Sequence, residues 1–299
     1  MSRGTAETLP LFDRLRWRDP VAGAPLEPVV SSRTPAGVPI SGALRVPGTR
    51  YGYPIVDCVA RMTPELAHRH RAWLEPRGLE PPPVEGGATF QDEASVESFG
   101  WQWTWNAQAR SESDLRWRVA ERFGVDPADF AGRLVLDAGA GAGDQSAYLA
   151  RAGAEVVSID LSSAIEVVTR KMRMNSGWVG VQGDVTRLPF ADAQFDTVYC
   201  EGVIQHTRDS VATVRELGHD LSFSIWQGLF APAGTPPATV ARYEAACARA
   251  VRGQAFRAGM ERIQTPVVHR NAAEFAALAA RDAERMRTMI EEGGLRQAA

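Results

Sequence analysis

The chain of 299 residues is long enough for one large domain or two modest ones. Its 44% hydrophobic and 23% charged composition is that of a globular protein. A formal net charge of -3 supplies no basic field for nucleic acid. Three widely separated cysteines, Cys58, Cys200 and Cys247, build neither a disulfide framework nor a Cys-x-x-Cys zinc site, so no metal is expected. The N-terminus has no apolar run, and no window approaches the roughly 18 apolar residues of a membrane span. The expectation is a cytoplasmic protein without nucleic-acid or membrane partners; nothing in the sequence sets its oligomeric state.

Residues 1–90 are rich in proline and glycine, which predicts short strands and turns, with disorder at the extreme N-terminus. The run Tyr51-Gly-Tyr-Pro54-Ile-Val-Asp57-Cys-Val-Ala-Arg61-Met-Thr-Pro64 resembles the end of the Trm112-like module found ahead of some methyltransferases. That module commonly carries two cysteine pairs, whereas this chain has no cysteine before Cys58, so the resemblance implies a degenerate, metal-free version. Read from the residues alone, the same stretch is a proline-bounded hairpin packed on the main domain. Pro81 to Gly87 reads as a linker.

Trp101, Trp103 and Trp105 would share one face of a strand, although helical or irregular backbone fits them too. They are either an aromatic anchor in the core or a wall over a pocket. Residues 111–123 predict a helix with Leu115, Val119 and Phe123 on one face. From Leu134 strands and helices alternate. Strands are expected at 134–137, 155–160, 179–182 and 195–200, and helices at 145–152, from Ile165 to Met172 with Ser162 or Ser163 as cap, and at 209–217. That order argues an α/β fold with a doubly wound, mostly parallel, Rossmann-like sheet.

The most informative stretch runs from Leu134 to Asp144, a strand entering a turn with Gly139, Gly141 and Gly143. Glycines there let backbone approach a ligand closely. The pattern is G-x-G-x-G followed by Asp144, and a carboxylate at the helix start suits a pyrophosphate poorly. Asp137, Asp160 and Asp184 fall at the ends of successive strands, where open α/β sheets bind ligands. Each acid alone could be a cap or turn residue; the ordered set points to a cationic, ribose-bearing cofactor.

On these residues, and on the run from Gly183 to Thr207, residues about 97–216 resemble a class I S-adenosylmethionine-dependent methyltransferase. The resemblance implies that S-adenosyl-L-methionine is the cofactor. It assigns Asp137, Ala138, Gly139, Gly141 and Gly143 to the methionine-side loop, Asp160 and Leu161 to the ribose, and Asp184 with Val185 to the adenine. Glu201 to His206 would line the acceptor side, with Glu201 also touching the cofactor. His206 is the candidate base, because imidazole titrates near neutral pH; it could instead only shape the pocket. Glu201 is the weaker candidate, alternatively a structural acceptor.

After Leu217 the further strands of such an enzyme do not follow. The run from Trp226 to Pro236 and the two amphipathic stretches beyond it resemble the C-terminal part of tripartite-tricarboxylate (Bug family) receptors, which implies no ligand cleft in a tail this short. The alternating Leu221, Phe223 and Ile225 predict a strand that would pair beside residues 197–200 as a fifth, sheet-completing strand. Helices are expected after Pro236 and after a capping box at Asn271 and Glu274. The chain thus divides into a Trm112-like segment at 1–90, a cofactor-binding core at 91–217 that is open to truncation, and a tail at 218–299. Methyl transfer to a small-molecule acceptor is the first reading. A catalytically inactive fusion or scaffold is the second, and a carboxylate-binding receptor fragment a distant third.

Overall fold

The computed structural model describes residues 9–84, 98, 100–104, 110–121, 124–207, 209–218, 228–262 and 267–292. The chain forms two compact units, residues 1–222 and 223–299.

The first unit is built on one eight-stranded sheet with the order β1-β2-β3-β4-β7-β6-β5-β8. Its strands are β1 (Glu27–Arg33), β2 (Pro39–Arg45), β3 (Gly52–Val56), β4 (Val59–Arg61), β5 (Leu134–Ala138), β6 (Glu155–Asp160), β7 (Trp178–Gln182) and β8 (Thr197–Tyr199). Strands β1 to β4 form an antiparallel meander, and β4, β7, β6, β5 and β8 then run parallel. The N-terminal hairpin is therefore part of the sheet itself. It supplies a fifth parallel strand, β4, which lies between β3 and β7. The tail strand expected at 221–225 lies outside the described residues, and among the described strands β8 pairs only with β5. A cleft of about 590 Å³ lies along β8, lined among others by Val119, Phe130, Tyr199, Cys200 and Val214.

Strands buried on both faces read as unbroken apolar runs, and the alternation within them sorts side chains to two cores. Leu136, Ala138, Val157, Ile159, Val179 and Val181 face one core, with Phe12, Trp17 and Phe190. Val135, Val156 and Trp178 face the other, under α3 (Glu112–Val119), α4 (Asp144–Arg151) and α5 (Ile165–Met172), which contribute Leu115, Leu149, Ile165 and Val168. The first core is closed by α1 (Leu11–Arg14) and by Leu217, just past α6 (Ser210–Glu216); α2 (Pro64–Arg69) adds Ala67. Trp17 stacks between Phe12 and Phe190, with ring centroids 4.8 and 5.3 Å away. The sheet is thus doubly wound and mostly parallel in its core strands.

Two local expectations change. Residues 100–104 are helical, so Trp101 and Trp103 do not share a strand face; Trp101 is exposed and Trp105 lies outside the described residues. The N-cap of α5 is Ala164, without a side-chain cap, and Ser162 Oγ accepts the Ala164 N–H one step earlier. Phe123 is also outside the described residues.

The second unit contains α7 (Pro237–Arg252), α8 (Gln254–Arg262) and α9 (Ala272–Glu292). The capping box forms as its residues dictate: Glu274 N–H donates to Asn271 Oδ1 at 2.9 Å, and Asn271 N–H to Glu274 Oε2 at 3.0 Å. No described helix is long and apolar enough to cross a membrane.

Candidate cofactor site

Strand β5 delivers Asp137 and Ala138 to a turn whose three glycines have φ of +82°, +51° and +75° at Gly139, Gly141 and Gly143. Side chains are strained in that region, and space forbids them as well. A Cβ at Gly139 would overlap Val203. At Gly141 it would lie 3.2 Å from the Trp103 indole, and at Gly143 2.8 Å from Val168. Each glycine thus admits a side chain from a different element, and Trp103 lies over the loop instead of in a strand.

The turn uses its own amide hydrogens. Gly139 and Ala140 donate to the Ile159 carbonyl at 2.8 and 3.0 Å, and Gly143 to the Ala140 carbonyl at 2.8 Å. Gly141 donates to Asp160 Oδ2 at 2.8 Å. A phosphate cradle needs several converging amides, and here those four are already engaged. Asp144 at the start of α4 is paired with Lys171 at 2.6 Å, which also holds the Ala142 carbonyl. The carboxylates of Asp137 and Asp160 beside the turn suit an ammonium or sulfonium cation better than a phosphate.

Asp137 is 2% exposed and accepts from the Ser146 hydroxyl of α4. Ser146 also bonds Ser158 at 2.8 Å, and Ser158 accepts from Trp178 Nε1 at 2.9 Å, so a buried polar chain crosses from β7 to the turn. Burial pushes the Asp137 carboxyl up to about 7, against the pull of the Ser146 hydroxyl and helped by the charges of Asp160 and Glu201. The neighbouring Cys200 thiol is pushed up to about 11 by burial and by the Asp137 charge.

A carboxyl whose folded pKa is raised binds a proton that the unfolded chain has released, so its contribution is full below 3.8 and lost as pH rises towards about 7. Asp137→Asn is expected to flatten this part of the thermal-stability profile between pH 4 and 8 and to raise stability at the alkaline end. A profile parallel to that of the wild type would contradict it.

Asp160 ends β6. Its Oδ1 accepts from Ser162 N–H at 2.8 Å and Ser162 Oγ at 2.6 Å, while Oδ2 receives Gly141. Burial raises its pKa, with the Ser162 and Gly141 donors pulling the other way. The Leu161 carbonyl accepts from Gln182 Nε2 at 3.1 Å. Asp184, two residues past β7, folds its carboxylate onto Thr186 N–H at 2.8 Å in a local turn, and Val185 is buried.

Glu201, just past β8, accepts from Arg118 Nη1 at 2.9 Å, Tyr199 Oη at 2.7 Å and Gln145 Nε2 at 3.2 Å. It joins α3, β8 and α4 as a fixed acceptor. His206 is exposed on the 3₁₀ turn Ile204–His206.

The structure therefore brings Asp137, the glycines, Asp160 and Leu161 to neighbouring strand ends, with Gly141 bonded to Asp160, Asp137 to Ser146 and Leu161 to Gln182, and with Asp184 and Val185 following the adjacent strand. Sequence reasoning missed Ser146, Gln145, Arg118 and Gln182. None has a motif of its own, since each acts through a neighbour that does.

The parallel sheet with this turn and the acids at successive strand ends lie in the region where the chain is similar to methyltransferases. Residues 136–219 match the family model described as a methyltransferase domain, and residues 200–295 match that of the tripartite tricarboxylate transporter family receptor. The chain is 38% identical over 106 residues to a demethylmenaquinone methyltransferase of Beutenbergia cavernae, covering 35% of this chain and 42% of that one. It is 34% identical over 91 residues to a ubiquinone biosynthesis O-methyltransferase of Pseudomonas paraeruginosa, covering 29% and 39%. The chain thus spans about two fifths of the curated relatives it matches. Among solved structures, magnesium protoporphyrin IX methyltransferase from Synechocystis PCC 6803 with bound SAH is 27% identical, with a TM-score of 0.29 over 44% of this chain and 57% of that one. The YcgJ protein of Bacillus subtilis is 28% identical, with a TM-score of 0.29 over 34% and 46%.

Proposed function

We propose that the protein binds S-adenosyl-L-methionine in the cluster around Gly139, Gly141 and Asp160 and transfers its methyl group to a small-molecule acceptor. The observation that carries this is the turn whose amides are engaged internally, one of them on the Asp160 carboxylate that ends the neighbouring strand. Asp137 and the glycines take the methionine end, Asp160 and Leu161 the ribose, and Asp184 with Val185 the adenine. Displacement of methyl from sulfonium needs mainly alignment of the acceptor. Acids around the cation hold the cofactor, and the segment 201–206 faces the acceptor. His206 takes the acceptor's proton, and Glu201, bound by three donors, orients the site. The same reading keeps the protein in the cytoplasm.

One relative is named a demethylmenaquinone methyltransferase and another a ubiquinone biosynthesis O-methyltransferase, so demethylmenaquinone is the first acceptor to test with methyl-labelled S-adenosylmethionine. Label transfer is expected, and His206→Gln is expected to lower kcat about 100-fold with the cofactor KM unchanged. An unchanged kcat would remove the base assignment. A second reading, cofactor binding without turnover, is favoured by one observation. The receptor-family match begins at residue 200 and so takes in the whole acceptor-side segment. Cofactor binding with no transfer to any acceptor would select it.

A further inference from the structure

The register of three neighbouring parallel strands places Arg61 of β4 opposite Gln182 of β7, and Gln182 opposite Asp160 of β6. Arg61 belongs to the N-terminal hairpin, yet it stands in the same transverse row as the ribose-side acid. It is 4% exposed. A buried guanidinium is tolerated only when partnered, and apolar residues often serve stability as well, so its bonds point to its role. Nη1 donates to Gln182 Oε1 at 2.7 Å. Nη2 donates to Glu166 Oε1 at 2.6 Å and to the Val56 carbonyl at 3.3 Å.

Arginine has donors only. The Gln182 amide must therefore turn its oxygen towards Arg61 and its NH₂ away, and that NH₂ meets the Leu161 carbonyl at 3.1 Å. The Leu161 carbonyl and the Ser162 N–H share one trans peptide plane and point in opposite directions. Holding the carbonyl on the Gln182 side therefore aims the Ser162 N–H at Asp160 Oδ1, 2.8 Å away.

We infer that Arg61 is a positioning residue for the cofactor: acting through Gln182 and the Leu161–Ser162 peptide, it orients the Asp160 carboxylate for the ribose. The inference rests on the S-adenosylmethionine reading above. It makes the N-terminal hairpin a working part of the cofactor site as well as an extension of the sheet.

Gln182→Glu tests it in the full chain. A carboxylate keeps Arg61 partnered and preserves the fold, but it has no donor for the Leu161 carbonyl. Titration with S-adenosylhomocysteine is expected to show binding weakened about tenfold. Amide hydrogen exchange without ligand is expected to be faster at Ser162 and unchanged in β5, with the melting temperature retained. Arg61→Met should weaken binding in the same direction, with a lower melting temperature. A merely structural Arg61 would leave Ser162 exchange and affinity at their wild-type values in a folded Arg61→Met chain; that result, or wild-type exchange and affinity in Gln182→Glu, overturns the inference while the cofactor reading stands. A wild-type chain that takes no S-adenosylhomocysteine overturns both.

Discussion

Asp160→Ala is expected to lower affinity for S-adenosylmethionine by about 100-fold or more. The proposed role is acceptance of two ribose hydroxyls by an ionised carboxylate, and charge-assisted hydrogen bonds contribute about 1.5–3 kcal/mol each. The same carboxylate accepts from Gly141 N–H and from Ser162 N–H and Oγ. Its removal therefore also loosens the glycine turn, and leaving those donors without their acceptor costs about 1–3 kcal/mol of stability. Asp160→Asn separates the two contributions, because its carbonyl oxygen can still take one of these donors while the charge is lost. Calorimetric titration of both variants, with unfolding followed by circular dichroism, reads affinity and fold together. A folded Asp160→Ala chain with wild-type affinity would remove Asp160 from the site.

The largest effect on stability is expected at Trp178. Its ring is 1% exposed and lies along its own strand over Gly180, where a Cβ would come within 2.6 Å of the indole. The glycine two residues on is therefore the space the tryptophan needs. Truncation to alanine opens a cavity in the core beneath α4 and α5, and large aromatic deletions of this kind cost about 3–5 kcal/mol. Trp178 also donates to Ser158, which leads through Ser146 to Asp137. Trp178→Phe keeps most of the volume and is expected to cost about 1 kcal/mol by losing that donor. Thermal unfolding of the two variants checks the ranking. Equal losses would mean that the hydrogen bond, not the packing, is what the ring supplies.

The sheet core and most of the candidate site were legible because their signals are local. The three glycines, the apolar runs of β5, β6 and β7 and the capping box at Asn271 each follow from residues close in sequence. What could not be read depends on distant pairing. Nothing in residues 51–65 says that β4 adds to β7, since a three-residue strand acquires its meaning from its partner. Arg61 looked like any scattered arginine until the register set it opposite Gln182. Trp103 is ambiguous for the same reason, because spacing by two fits a strand face as well as a short helix, and only the helical backbone of residues 100–104 decides. Ser146 carries no pattern at all and becomes visible through the buried Asp137 it satisfies.

Calorimetric titration of the wild-type chain with S-adenosylmethionine tests most directly whether the chain binds that cofactor. The arrangement of Gly139, Gly141, Asp137 and Asp160 predicts saturable binding in the micromolar range. Absence of heat at millimolar ligand would contradict it.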